Sequence, residues 1–201
     1  MRRAARALTP RSPTHRGEPG EPPGGPGAAA RLAERARSGD RGAFGCLYEE
    51  YAGTVHGVLL AYVGRGEAQD LVHEVFLLAL RSIAGLQEPT RVGPWLCAIA
   101  RNRALDLLRS PDRAPDPLPE LSPELVSDEP EPTSAGEAEE ILALVRELPA
   151  AYRETLVLRL ALGLSGPEIA ARTGLTHGSV RVNLCRGMKL LRERLAEEGW
   201  Q

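Results

Sequence analysis

Proline placement divides this chain before any helix is assigned. Of its 17 prolines, 13 fall within residues 1–30 or 111–136, and none of the eight aromatic residues does. A segment rich in Pro and poor in large apolar groups cannot offset the entropy of ordering its backbone. Both segments are therefore expected to be disordered or extended, with 1–28 a tail and 111–136 a linker. Two blocks remain, 29–110 and 137–198. Neither contains a run of alternating β-branched residues, so the expected fold is all-α, in two small helical domains held as independent modules.

In the first block, Ala28–Ser38 can form a short helix ended by Gly39. Asp40 can cap a second helix reaching about Val63, with Phe44, Leu47, Tyr48, Tyr51, Val55, Val58, Leu59 and Tyr62 at core spacing. A third is expected from about Glu67 to Ala84, burying Leu71, Val75, Leu78 and Ala79. Residues 85–93 read as a loop. Pro94 suits the first turn of a fourth helix whose apolar face is Leu96, Ile99, Ala100, Ala104, Leu107 and Leu108. Four helices with short connections make a bundle.

The second block carries sharper punctuation. Ala138–Glu147 and Pro149–Ala161 read as helices. Ser165 and Glu168 then have capping-box spacing, and the helix they start stops at Gly174. Thr176 can cap a last helix continuing through Leu195. A small residue at Ala170, a turn glycine at Gly174 and a β-branched anchor at Val180 together mark a helix-turn-helix. On the last helix Val180, Leu184, Met188, Leu191 and Leu195 fall on one side, with Arg181, Val182, Cys185, Arg186 and Lys189 on the other. The cations alone are compatible with a solvated helix end, favoured by its dipole. The capped turn upstream favours contact with DNA.

Charge follows the same division. The net charge is −2, but residues 111–140 carry −9 and 141–201 carry +3. Within the linker, Asp112, Asp116, Glu120, Glu124, Asp128, Glu129 and Glu131 are opposed only by Arg113. Such a segment is either an extended spacer or a screen over a basic surface. Of the 25 basic residues 24 are Arg, a bias that genome composition explains, so arginine count is no argument for nucleic acid.

Several chemistries find no support. The three cysteines are isolated, which fits neither a disulfide framework nor a zinc site and suggests a reducing, cytoplasmic setting. His73-Glu74 would need a second His at position 77 to make a zinc-hydrolase motif, and that position is Leu77. No phosphate loop or nucleophile motif is present, so neither catalysis, a metal nor a cofactor is expected. No apolar run approaches the ~20 residues a membrane span requires. Trp95 reads as a helix anchor rather than a base-stacking platform.

Two sets of motifs resemble one family. Leu148-Pro149, Tyr152-Arg153-Glu154, Leu156-Val157-Leu158, Gly163-Leu164-Ser165, Glu168-Ile169-Ala170 and Gly178-Ser179-Val180-Arg181 resemble region four of the extracytoplasmic-function sigma factors of bacterial RNA polymerase. Asp70-Leu71-Val72-His73-Glu74-Val75-Phe76 resembles the region-two helix that docks on polymerase, and Trp95 to Arg109 the promoter-melting helix. The resemblance implies a subunit that binds core RNA polymerase, recognises double-stranded promoter DNA and the melted non-template strand, and answers to a cognate anti-sigma factor. It implies polymerase contacts at Asp70, His73 and Glu74. It places Arg101 and Asn102 beside the separated minus-ten strand, with residues 87–93 capturing a flipped base. Ser179, Arg181, Val182, Arg186 and Lys189 would contact the minus-thirty-five element. His73 stands where the family usually has Gln, Val92 where it commonly has Phe, and Arg181-Val182-Asn183 where it often has Lys-Ser-Arg. The rival readings are a helix-turn-helix regulator that binds an operator without polymerase, and an adaptor of anti-sigma type.

Overall fold

In the computed structural model, the described residues are 26–110 and 132–199. Residues 111–131 of the expected linker, which hold the seven carboxylates named above, and most of the N-terminal tail therefore lie outside them. The first block folds as α1 (Pro26–Arg37), α2 (Arg41–Leu60), α3 (Arg65–Ser82) and α4 (Val92–Arg109). The second folds as α5 (Pro132–Glu147), α6 (Ala150–Leu160), α7 (Gly166–Thr173) and α8 (His177–Glu197). No strand occurs among the described residues.

Local signals set most boundaries. Gly39, at φ 94°, turns the chain after α1, and the Asp40 carboxylate accepts the Ala43 N–H at 3.0 Å to start α2. That hydrogen bond, with the Arg35 guanidinium beside it, holds the Asp40 carboxyl below the usual range. Several boundaries differ from expectation. The third helix ends at Ser82 and is followed by a 3-10 turn, Ile83–Gly85; a second, Pro89–Arg91, lies within the expected loop, and α4 starts two residues before Pro94. Helix α1 begins inside the expected tail, at Pro26, and α5 inside the expected linker, at Pro132.

The cores follow the apolar stripes, with two corrections. Leu78 and Leu108 remain 38% and 40% exposed. The buried stripe of α3 runs Ala68, Leu71, Val72, Val75, Phe76, Ala79, which leaves Leu78 at its edge. That of α4 runs Val92, Gly93, Leu96, Cys97, Ala100, Ala104, which does the same to Leu108. Trp95 is half-buried against the bundle core, as an anchor would be.

The two blocks are not independent modules. A single apolar cluster joins the bundle to Leu142, Val145, Leu148, Leu156, Val157 and Leu191 of the second block. Helix α6 divides its buried side chains, with Leu156 and Val157 in that cluster and Leu158 in a smaller one with Ile169, Ala170 and Val180. Matching apolar faces on the two blocks bring them together.

Candidate nucleic-acid interface

The helix-turn-helix is built by caps. Ser165 Oγ accepts the Glu168 N–H, while Glu168 Oε2 accepts the Ser165 N–H at 2.7 Å and its hydroxyl at 2.6 Å. These donors, the hydroxyl first, hold the Glu168 carboxyl below its ordinary range. Gly174 is left-handed, at φ 76°, and returns its N–H to the Ala170 carbonyl at 2.9 Å. Thr176 Oγ1 accepts the Ser179 N–H at 3.1 Å and opens α8. Val180 and Ile169, both buried, fix α8 against α7. Farther along, Gly187 lets α8 lie close to α6, since a Cβ there would come 2.9 Å from Leu156 Cδ1.

This frame turns one face of α8 outward. Arg181, Val182, Cys185, Arg186 and Lys189 are exposed, and Val182 is 45% so. Among the described residues, Arg181 and Arg186 have no ion-pair partner, whereas Lys189 lies 3.8 Å from Glu193. Ser179 is half-buried and its hydroxyl is hydrogen-bonded to Thr176, so it belongs to the cap before it belongs to any ligand. Arginines free of carboxylates, on a helix whose other face is anchored, are what bidentate contact with guanine edges requires.

On α3, Asp70, His73 and Glu74 share one exposed face. The His73 ring stacks on Tyr48, with centroids 6.4 Å apart and planes 11° from parallel. Glu74 pairs with Arg103 of α4. Leu77, 54% exposed, continues the face one turn on. The sequence reading assigned Leu77 no part in this face, naming it only as the residue that stands where a zinc motif needs His. Beside this face lies a groove of about 550 Å³ lined by Ala52, His56, Gln69, Asp70 and His73 among others. His56 Nε2 is buried there without a hydrogen-bond partner, and desolvation, assisted by Arg65, lowers its pKa.

On α4, Asn102 is exposed but Arg101 is not free. Its Nε and Nη2 donate to Glu154 Oε1 and Oε2 of α6 at 2.6 and 2.8 Å, and the Tyr62 hydroxyl donates to the same Oε1 at 2.7 Å. Glu154 is 8% exposed. Burial first, then the Glu154 charge, pushes the Tyr62 pKa up to about 12. The Glu154 hydrogen bond raises Arg101 above its ordinary value. A second seam joins α7 to the bundle. Arg172 donates to the Glu50 carbonyl at 3.1 Å and to Thr54 Oγ1, and its guanidinium lies 5.4 Å from the Tyr51 ring centre. The sequence placed Tyr62 only in the core of the second helix and Glu154 only in a family motif, and it gave Arg172 no role. In the expected base-capturing loop, Val92 is 1% exposed, so it offers no stacking surface, while Gln87, Thr90 and Arg91 face outward.

Comparison with known proteins finds one family in both blocks. Residues 47–114 match the family model of sigma-70 region 2, and residues 138–191 that of sigma-70 region 4. The RNA polymerase sigma factor CarQ of Myxococcus xanthus is 35% identical over 82% of this chain and 95% of its own. The extracytoplasmic-function sigma-E factor of Haemophilus influenzae is 30% identical over 82% of this chain and 93% of its own. Among solved structures, CnrH in complex with the cytosolic domain of CnrY superposes with a TM-score of 0.60 at 24% identity, covering 85% of this chain and 98% of that one, a likeness of fold. Both blocks match, in the same order, which a lone helix-turn-helix regulator does not explain. The chain belongs to the extracytoplasmic-function group of RNA polymerase sigma factors, the subunits that give core polymerase its promoter recognition.

Proposed function

We propose that residues 29–110 dock core polymerase and hold the melted minus-ten strand, and that residues 137–198 read the minus-thirty-five element. The observation that carries this reading is the outward face of α8, cationic and unpaired at Arg181 and Arg186, on a helix locked from behind by Val180 and Leu191. Laid in the major groove, such a face presents two forked donors to base edges, with Val182 beside them to meet a thymine methyl. Lys189 and the α8 N-terminus near Ser179 suit phosphates, which fix register rather than sequence.

On the bundle, Asp70, His73, Glu74 and Leu77 form a mixed acidic and apolar face suited to a basic, apolar-edged helical partner, which in this family is the polymerase coiled coil. Asn102 carries both donor and acceptor for an unstacked base, and Arg101 a charge for the strand's backbone. Base capture by residues 87–93 falls to Gln87, Thr90 and Arg91, since Val92 is inside. The chain acts by binding, not by catalysis, in the cytoplasm. Among the described residues no helix is long and apolar enough to cross a membrane. A cognate anti-sigma factor would control it.

Run-off transcription with core polymerase, on genomic fragments recovered by the reconstituted holoenzyme, tests the reading. Transcription that requires both proteins supports it. Tight, symmetric operator binding by the chain alone, with no transcription, would replace it with an operator-binding regulator.

A further inference from the structure

Between α2 and α3 runs a groove of about 550 Å³, walled on the α2 side by Ala52, Gly53 and His56 and on the α3 side by Gln69, Asp70 and His73 among others. It opens beside the face assigned to core polymerase, yet its α2 wall has no residue among those contacts. We propose that this groove is a socket for one uncharged side chain of the docked polymerase helix, an amide or a hydroxyl, which passes over Gly53 and hydrogen-bonds His56 Nε2. The proposal rests on the docking role given to α3 under Proposed function.

Two independent observations on α2 point to an outside occupant. His56 Nε2 is buried with no hydrogen-bond partner among the described residues. Native proteins leave few polar atoms in that state, because a group that has lost water and gained nothing is costly. Gly53 is exposed in the middle of α2, and a Cβ there would meet nothing within 4 Å. A mid-helix glycine weakens its helix relative to alanine, and its use is to let another element come close. Gly57, one turn on, shows that use, since a Cβ on it would come 2.9 Å from Leu162 Cδ1. At Gly53 the room is kept and no described residue fills it.

The lining selects the chemistry of the occupant. Desolvation, assisted by Arg65, lowers the His56 pKa, so the imidazole is neutral at physiological pH, with one N–H and one bare nitrogen. A cation that gains Asp70 meets Arg65, and an anion that gains Arg65 meets Asp70, so neither sign is favoured. An amide or hydroxyl both donates and accepts, and therefore satisfies His56 Nε2 in either tautomer. Gln69 offers a second amide from the α3 wall. Continuity fixes the source of the group. Asp70 and His73 line the groove and also belong to the exposed face on which the polymerase helix would lie.

Equilibrium binding of the full chain to core polymerase, with the melting temperature of each variant recorded, tests the socket. Gly53→Leu fills the mouth of the groove and improves helix propensity. Its melting temperature should hold or rise while core affinity falls about ten-fold or more. Gly45→Leu also has open space over its Cβ, on the same helix but outside the groove, and should bind core as the wild type does. His56→Leu should lower affinity about three- to ten-fold, as loss of one neutral hydrogen bond would, and His56→Gln should recover most of it. Wild-type affinity in Gly53→Leu would overturn the proposal. So would wild-type affinity in His56→Leu, since His56 Nε2 would then take only water. Asp70→Lys combined with Glu74→Lys keeps two failures apart. If that pair leaves core affinity unchanged, the docking role of α3 falls and the socket with it. If it lowers affinity and Gly53→Leu does not, the socket alone falls.

Discussion

Tyr62→Phe removes one hydroxyl and leaves every apolar contact of the ring in place. In the structure that hydroxyl is 2.7 Å from Glu154 Oε1, and both residues are at least nine-tenths buried. A hydrogen bond to a charged group contributes about 1.5–3 kcal/mol net. Glu154 keeps its two bonds to Arg101 in the variant, so a loss near the lower end, about 2 kcal/mol, is expected. For a chain of this length that corresponds to a melting temperature lower by roughly 4–8 °C. Because one apolar cluster spans both blocks, the wild-type chain should melt in a single cooperative transition that shifts as a whole. Scanning calorimetry with urea titration supplies both numbers, and a double-mutant cycle with Glu154→Gln should give a coupling of about 1–2 kcal/mol. Two separate transitions, or a Tyr62→Phe effect below about 0.5 kcal/mol, the level of an ordinary surface substitution, would refute the shared seam.

Arg186→Ala should weaken transcription from a native promoter by about 1–3 kcal/mol if it is bidentate to guanine, with core-polymerase affinity unchanged in a pull-down titration; loss of core binding instead would reverse the face assignment. Ser165→Ala, which removes the hydroxyl half of the capping box and leaves the backbone N–H to the Glu168 carboxylate, should lower stability by about 1 kcal/mol in thermal unfolding. Gly187→Val should be worse, about 1–3 kcal/mol, because its side chain has to displace Leu156 or Tyr152 at the α6–α8 contact. At high pH, Tyr51 and Tyr62 should ionise only near 12, both raised chiefly by burial. Their folded pKa values exceed the ordinary 10, so their contribution is full below pH 10 and lost as pH rises toward 12. Ultraviolet titration of Tyr62→Phe should lack one of these late steps.

What the sequence disclosed was local. Asp40, Ser165 with Glu168, Gly174 and Thr176 each act within three or four residues, so spacing alone located the helix starts and the turn. The outward face of α8 was legible for the same reason, since a 3.6-residue period sorts sides without knowledge of a partner. The seam was not. Tyr62 and Glu154 are 92 residues apart, and a lone Glu on an amphipathic helix reads as solvent-facing. Gly57, Gly93 and Gly187 carried no signal either. Each is glycine because another element passes where a Cβ would be, and that element is distant in the sequence.

The chemistry of that seam bears on whether it can open. A wholly apolar contact between the blocks would lose all its stabilisation on separation, because bared hydrocarbon finds no substitute in water. A buried carboxylate–guanidinium pair contributes less than its short distances suggest, since much of the attraction repays desolvation of the two ions. On opening, both ions recover water, and Arg101 gains a phosphate to replace Glu154 where a strand is present. The polar contact therefore selects the closed register while adding little to the work of leaving it, whereas Leu156 and Val157 supply the adhesion. Replacing the pair with matched apolar groups, Arg101→Met with Glu154→Leu, together with Tyr62→Phe so that no buried hydroxyl is left unpaired, tests that division of labour. It should raise the melting temperature or leave it unchanged, and should slow opening. Accessibility of Cys97, 1% exposed and bonded to the Arg172 carbonyl at 3.3 Å, reports opening directly through its rate of thiol labelling. Slower labelling in the apolar variant is the expected result. Faster labelling would mean that the ion pair, not the apolar cluster, holds the blocks together.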